Sequence, residues 1–242
     1  MIHTVFPCII NEKGEDGIAM STNAAKDAAK KERQEKKKRI RQEQLIDAAE
    51  KIFITHGYDT TTLEMVADEL GYTKRTLYLY FRDKDDIFFA VTLKGLSGLH
   101  DALLKAVVVG ETGLDRMFSL GTAYYQFFRQ HPVYFEFNRI FETKMYYFQK
   151  ELNGDSGEFA FKCQEVNDRI TQLLLDVIHD GQEDGSITRK FDSKKLMLLL
   201  WGGTFGLLEV VFSRMDKLED VYGTSADEMF SLYMELLEGI FR

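Results

Sequence analysis

The chain has 242 residues, of which 45% are hydrophobic and 29% are charged, a balance typical of globular proteins with a buried core. Two cysteines, Cys8 and Cys163, are too few for a disulfide framework or a cysteine-rich zinc site. Only two prolines occur, so long stretches lack the residue that most reliably interrupts helices. We therefore expect an all-α protein with one small domain and one larger domain.

No feature of the chain predicts export or a membrane partner. Residues 1–10 lack a positive leader and a long apolar stretch, so we expect no signal peptide and a cytoplasmic protein. The longest apolar run, residues 196–212, is shorter than the roughly 20 residues that cross a bilayer. We expect it to form a buried helix.

The net charge of −8 is unevenly distributed along the chain. Residues 24–44 hold nine Lys or Arg against four Asp or Glu, whereas residues 87–242 hold sixteen against twenty-three. This distribution is expected of a protein in which only the N-terminal part binds the phosphate groups of a nucleic acid.

The first 38 residues are predicted to be a disordered or basic extension. Residues 1–23 show no periodicity, and residues 24–41 are rich in helix formers without an apolar face. The second stretch either extends the first helix or forms a flexible arm. In both cases Arg39 and Arg41 are candidates for contact with a nucleic acid.

Three short helices are predicted next. Apolar residues at helical spacing define the first: Leu45, Ala48, Ala49, Ile52 and Phe53. Gly57 is expected to end it in a left-handed conformation, and Thr61 to cap the second helix in a capping box with Glu64. Thr73 is expected to cap a third helix that runs from Lys74 to about Phe81.

Longer helices are predicted over the rest of the chain. Asp83 caps a helix from Lys84 to about Val108, and Gly110 to Gly113 separate it from the next. The remaining helices are expected at about 114–130, 133–151, 158–181, 193–214 and 225–241. The sequence thus predicts about nine helices and no strand.

The second and third helices have the pattern of a helix-turn-helix. Gly71 in the turn can take a positive φ, and small Ala67 lets the two helices approach closely. Leu77 and Phe81 would anchor the third helix on the core, so that its other face is free to enter a major groove. That face carries Lys74, Arg75, Thr76 and Tyr78. Arg side chains bind the O6 and N7 of guanine bidentately.

At these residues the chain resembles the tetracycline-repressor-like (TetR) family of bacterial regulators. The resemblance covers residues 45–88, from the apolar first helix through Gly57-Tyr58, Thr61-Thr62, Val66-Ala67, Gly71 and Thr76-Leu77-Tyr78 to Tyr80-Phe81 and Lys84. It implies a DNA-binding domain at 39–84 and a helical effector-binding and dimerisation domain at 85–242. Double-stranded operator DNA is the implied partner.

The resemblance also implies which residues touch DNA. Phosphate contacts are implied for Thr62, Thr73, Thr76, Tyr80 and Lys84, and approach to bases for Lys74, Arg75 and Tyr78. Lys84 has an independent reason, because it stands at a helix N-terminus, where anions bind. Many relatives carry a basic residue where this chain has Glu64, so no DNA contact is assigned there.

The helical body carries the expected partner and effector sites. Residues 193–241 are too apolar to face water, and we expect them to form a homodimer interface as a four-helix bundle. Aromatic residues are concentrated between Tyr124 and Phe148, more than one core stripe requires. An unidentified apolar or aromatic effector is therefore expected in a pocket. The candidate ligand-binding residues are Tyr124, Phe128, Phe137, Asn138, Phe141, Trp201 and Phe205, and ordinary core packing is the alternative for each of them.

No enzyme, metal or cofactor site is indicated. No two histidines stand four apart, and no catalytic triad, phosphate loop or carboxylate pair stands out. The expected function is a repressor that an effector releases from its operator. A ligand-independent activator or DNA organiser, and a helical enzyme or carrier, are the alternatives.

Overall fold

A computed structural model describes residues 15–151 and 157–241 of the chain. These ranges contain ten α-helices, one 3-10 helix and no strand. The α-helices are α1 (Glu15–Thr60), α2 (Leu63–Glu69), α3 (Lys74–Leu77), α4 (Lys84–Ala106), α5 (Gly113–Gln130), α6 (Pro132–Glu151), α7 (Glu158–Asp184), α8 (Ser193–Ser213), α9 (Leu218–Tyr222) and α10 (Ala226–Phe241). The 3-10 helix is Met215–Lys217. The all-α prediction is confirmed.

The first helix is longer than the sequence predicts. Residues 15–23, for which we expected disorder, lie in α1, and residues 24–41 continue that helix rather than forming a separate arm. Ala, Lys and Glu favour the helix without needing an apolar face. Residues 1–14, also expected to be disordered, lie outside the described ranges. Gly57, with φ 76° and ψ 166°, kinks α1 near its end.

Capping side chains set the starts of the helices near the N-terminal region. Thr62, Thr73 and Asp83 precede α2, α3 and α4, and each accepts a hydrogen bond from a first-turn N–H. The prediction that Thr61 caps α2 is therefore wrong. The Thr61 hydroxyl is buried and donates to Gly57 O at 2.7 Å, which leaves Thr62 as the cap.

Two apolar clusters form the core. The first contains Leu45, Phe53, Leu77 and Phe81 of the N-terminal region together with the N-terminal half of α4 and parts of α6 and α7. The second joins the C-terminal half of α4 to α5, α7, α8 and α10. Helix α4 thus belongs to both clusters, and the first cluster spans the predicted domain boundary at residue 84.

Two helices, α4 and α8, are long and apolar enough to cross a membrane by length and composition. Helix α8 has 21 residues because Ser193, Lys194 and Lys195 precede the apolar run and Ser213 follows it, so the apolar run itself is no longer than the sequence indicates. Within their most apolar windows, 56% of α4 is buried against 22% of α8. Helix α4 is accordingly a core helix, whereas α8 leaves Leu198, Leu199 and Val210 exposed in the protomer.

Candidate nucleic-acid interface and ligand cavity

Helices α2 and α3 are joined by a tight turn built on Gly71. The N–H groups of Leu70 and Tyr72 both donate to Ala67 O, at 3.2 and 2.8 Å, and Gly71 N–H donates to Asp68 O at 3.0 Å. Gly71 has φ 66°, a left-handed conformation that side chains with a Cβ rarely adopt. The turn fixes α3 across α2, which is the geometry of a helix-turn-helix.

Helix α3 is anchored on one side and exposed on the other. Leu77 is fully buried in the first core cluster, and Phe81, beyond the end of α3, is buried there too. Lys74 and Arg75 are exposed, and the Tyr78 side chain is 51% exposed. The three outward side chains predicted to approach bases thus share an accessible surface. Leu79 is also exposed there, which places an apolar side chain beside them.

The predicted phosphate ligands of α2 and α3 are capping hydroxyls. Thr62 Oγ1 accepts from Met65 N–H at 3.3 Å, and Thr73 Oγ1 accepts from Thr76 N–H at 3.4 Å and lies 3.1 Å from Thr76 Oγ1. A capping oxygen uses a lone pair, so its hydroxyl hydrogen stays available to donate. Tyr80 differs, since it is half-buried against the first core cluster.

Lys84 holds the end of the first helix as well as standing at the start of α4. Its Nζ donates to Tyr58 O at 2.9 Å and to Asp59 O at 3.1 Å, and lies 4.3 Å from the centre of the Tyr58 ring. An ammonium has three donors, so one remains for a phosphate. The sequence gives no sign of these carbonyl contacts, which couple Lys84 to the kinked end of α1.

An ion pair crosses the helix-turn-helix. Lys74 Nζ donates to a carboxylate oxygen of Glu64, and both side chains are exposed. The pair raises the pKa of Lys74 and lowers the pKa of Glu64, the hydrogen bond between them being the main cause. Glu64 therefore holds the Lys74 ammonium against α2, a contact that the sequence alone does not indicate. Arg75 is exposed on the same short helix, and its guanidinium is the second basic group that α3 presents.

The basic residues before the first core residue lie on α1. Arg39 pairs with Glu43 at 3.7 Å with both side chains largely exposed, and the Arg41 guanidinium lies 5.6 Å from the centre of the Tyr72 ring. Tyr72 immediately precedes Thr73, the cap of α3. Arg41 is thereby held beside the helix-turn-helix, while Arg39 projects into solvent.

The body contains a cavity of about 280 Å³ between α4, α5, α6, α7, α8 and α10. Its walls are mainly apolar, and Leu96, Leu99 and Leu103 contribute one side of it from α4. Ligand pockets commonly have such walls with a few polar groups. Because α4 also begins at Lys84 in the N-terminal region, one rigid helix connects the cavity to the candidate DNA surface.

Three of the seven predicted ligand-binding residues line this cavity: Tyr124, Asn138 and Trp201. Phe137 and Phe141 instead belong to the first core cluster, where their rings lie near Phe88 and Phe89. The remaining two lie in or against the second cluster: Phe128 is fully buried, and Phe205 packs on Phe135 and Trp201. These four placements differ from the expectation: α6 turns Phe137 and Phe141 to the N-terminal region, whereas Phe128 of α5 and Phe205 of α8 pack on other aromatic rings of the body.

Polar residues of the cavity were only partly recognised from sequence. Glu142 lies one turn beyond Asn138 on α6, and Asn167 and Thr171 lie one turn apart on α7, all four facing the cavity. A pair of polar residues at positions i and i+4 on an otherwise apolar helix face is visible in the sequence and could have indicated these lining residues. Their burial, which requires knowing the neighbouring helices, is not readable from the sequence.

The comparisons with known proteins agree with this arrangement. Residues 45–91 match the family model for bacterial regulatory proteins of the tetR family, which covers α2, α3 and the adjoining parts of α1 and α4. Over these residues the chain has the DNA-binding segment of the tetR family of bacterial regulatory proteins. It is therefore a DNA-binding transcriptional regulator.

Similarity to individual tetR-family proteins extends beyond the matched segment. The fatty acid metabolism regulator protein of Bacillus subtilis (strain 168) is 20% identical over 167 residues, which are 69% of this chain and 81% of the relative. A TetR/AcrR-family regulator from Thermobifida fusca YX-ER1 superposes with a TM-score of 0.61 at 20% identity, over 84% of this chain and 98% of that one. The regulator FadR from Bacillus subtilis, solved with stearoyl-CoA, gives a TM-score of 0.59 at 17% identity over 80% and 96%. These structural matches establish the shared fold of the body as well as of the DNA-binding part.

Proposed function

We propose that this regulator binds its operator as a homodimer and that a small apolar effector lowers its affinity for the DNA. The observation that carries the effector is the mainly apolar cavity whose wall includes α4, the helix that starts at Lys84. The DNA-binding domain would comprise residues 39–84 and the effector and dimerisation domain residues 85–242. A location in the cytoplasm follows for a protein that acts on bacterial DNA.

The homodimer rests on the apolar surface of α8 and α10. Exposed leucines and isoleucine lie at helical spacing on these helices, among them Leu199, Leu236 and Ile240. A contiguous apolar surface of this kind marks an interaction site, and a two-fold axis lets the same surface meet itself. Two copies of α8 and α10 would form a four-helix bundle. The two recognition helices must then lie about one DNA turn, roughly 34 Å, apart.

The switch depends on contacts between α6 and the DNA-binding part. Lys144 of α6 pairs with Asp85 at 3.0 Å, and the Tyr58 hydroxyl donates to the same carboxylate. Asn138 and Glu142, on the same helix, line the cavity. A ligand that moves α6 or α4 would thus move the groups that hold Lys84. Release requires that the ligand bind the two conformations with different affinity.

Sequence-specific binding is tested by selecting bound DNA from a random pool and measuring affinity for the selected site. Arg75→Ala should weaken operator binding by about 1–3 kcal/mol and relax the preference at one base pair of each half-site. Arg169→Ala, on the exposed side of α7, is the matched control and should leave both unchanged. An unchanged base preference in the Arg75 variant would contradict the assignment of base recognition to α3.

The effector is tested separately, by titrating the operator complex with compounds that raise the melting temperature of the free protein. A shift of ~1–3 kcal/mol would lower DNA affinity about 5- to 150-fold. Tight binders that leave operator affinity unchanged would favour the ligand-independent activator or DNA organiser. Absence of salt-sensitive DNA binding would favour a helical enzyme or carrier.

A further inference from the structure

The cavity contains polar atoms to which the fold supplies no hydrogen-bond partner. The Tyr124 hydroxyl oxygen and Asn138 Oδ1 are both buried without a partner among the described residues, and the Asn138 side chain is only 5% exposed. Buried polar groups in proteins are nearly always hydrogen-bonded, because leaving one without a partner destabilises the fold. Unpartnered groups that line a cavity therefore indicate where the polar group of a ligand binds.

A carboxylate stands beside these two atoms. Glu142 lies four residues after Asn138 on α6, so the two side chains share one face of the helix. No hydrogen bond or ion pair joins its carboxylate to any described residue, and burial raises its pKa. The charge of Glu142 in turn raises the pKa of Tyr124, after the larger effect of burial, which indicates that the two groups are close together.

No basic side chain offsets this carboxylate inside the cavity. None of the described residues that line it is a lysine, arginine or histidine. The nearest arginine in sequence, Arg139, pairs with Glu136 at 2.6 Å and lies 4.0 Å from Glu209, outside the lining. A half-buried carboxylate in an apolar wall either takes up a proton or binds a cation, and a ligand ammonium would supply that cation.

The cavity's volume suits a compact occupant. Its volume of about 280 Å³ is roughly twice that of the ~150 Å³ cavity that accommodates a benzene molecule. Most of its wall is apolar, and Ile170, Leu174 and Trp201 line it together with leucines of α4. A compact ligand with one small polar end fits these dimensions.

We propose that the effector is a compact apolar amine whose protonated nitrogen binds between Glu142, Asn138 and Tyr124. This deepens the function proposed above and rests on it for the role of the cavity as the effector site. An ammonium donates to all three oxygen atoms, whereas a carboxylate of the same size would face Glu142 without any cation. The effector chemistry thus differs from the acyl-CoA bound by the FadR structure.

The proposal is tested with three probes that share one body: 4-phenylbutylamine, 4-phenylbutan-1-ol and 4-phenylbutanoate. Their dissociation constants are measured by calorimetry on the full-length protein without DNA. The wild type should bind the amine at least about tenfold more tightly than the carboxylate, with the alcohol between them, because only the amine can form an ion pair with Glu142. Glu142→Gln should abolish most of this preference by weakening the amine about tenfold while leaving the alcohol nearly unchanged. Glu165→Gln, an exposed position on α7 outside the cavity, should leave the order as in the wild type.

Each outcome decides the question. Equal or tighter binding of 4-phenylbutanoate, or no binding of the amine at millimolar concentration, would overturn the assignment in the wild type alone, whether or not the variants fold. An unchanged amine preference in Glu142→Gln, shown by circular dichroism to be folded, would overturn the role of that residue. Operator release is measured independently: binding of the amine without release would refute the switch but keep the head-group assignment. Release by the carboxylate and not the amine would keep the switch and refute the assignment.

Discussion

A charge placed on the exposed face of α8 or α10 should dissociate the dimer. Leu199 is 74% exposed in the protomer and Leu236 is 61% exposed, both on the surface proposed to meet its two-fold copy. Leu199→Glu replaces an apolar side chain with a carboxylate that would be buried at the interface. Burial of an unpaired charge is strongly unfavourable, so the substitution acts against association rather than against folding of the protomer.

The magnitude follows from the exposed fraction. Full burial of a leucine side chain contributes roughly 1.5–3 kcal/mol, so covering the 74% of Leu199 that the protomer exposes contributes about 1–2 kcal/mol. Each dimer holds two copies, which doubles the effect to about 2–4 kcal/mol. That corresponds to a dimer dissociation constant raised roughly 30- to 700-fold, before the cost of desolvating the carboxylate.

The assay is sedimentation equilibrium or light scattering over a concentration series, with operator binding measured in parallel. Leu104→Glu is the matched control, because Leu104 is 43% exposed but lies on α4, outside the proposed interface. The expected result is that the Leu199 variant loses both the dimer and its operator affinity, while the control keeps both. A Leu199 variant that stays dimeric and binds its operator normally would refute the interface.

Further predictions concern the extension, the switch and the buried thiol. Deletion of residues 1–38 should leave the fold intact and make operator binding less sensitive to salt. The slope of the logarithm of the binding constant against the logarithm of salt concentration should fall by about 0.9 for each phosphate that the segment neutralises. An identical slope would mean that the segment is only a solubilising tail. Lys144→Met, which keeps the aliphatic stem, should reduce the drop in operator affinity caused by an effector while changing the affinity without effector less than about threefold. In a Cys8→Ser background, Ellman's reagent at pH 8 should not label Cys163 until the protein unfolds, because burial raises the pKa of this thiol to about 12 and its Sγ–H donates to Phe89 O at 3.2 Å. Stoichiometric labelling of the native protein would contradict that packing.

Local signals in the sequence predict the helix-turn-helix well. The anchoring pair Leu77 and Phe81, the turn at Gly71 and the caps Thr73 and Asp83 all behave as their residue types require. Each of these features depends on neighbours within a few positions, where propensity and hydrogen bonding decide the conformation. The choice between two adjacent threonines as the cap of α2 was wrong, since either hydroxyl fits until the kink at Gly57 is known.

Non-local features were predicted less completely. The short helix α9 has only five residues, too few to show a period, so it raises the number of α-helices in the described ranges from about nine to ten. The third helix was predicted to reach Phe81 but ends at Leu77, and the following turn continues with single hydrogen bonds such as Phe81 N–H to Leu77 O at 2.9 Å. Which aromatics surround the cavity depends on how α6 is rotated between two cores. A helix with apolar residues on both faces does not reveal that rotation.

The passage of α4 through both core clusters has a consequence for protein engineering. Ile87, Phe88 and Phe89 are fully or almost fully buried in the same cluster as residues of α1, and Phe137 and Phe141 of α6 belong to it as well. A chimera that joined this DNA-reading part to a foreign sensor at residue 84 would separate side chains packed at the density of a protein interior. A chimera that is to keep the DNA specificity of this protein therefore needs the first three turns of α4 and a matching face of α6. A junction at residue 84, where the helix-turn-helix segment ends, would omit both.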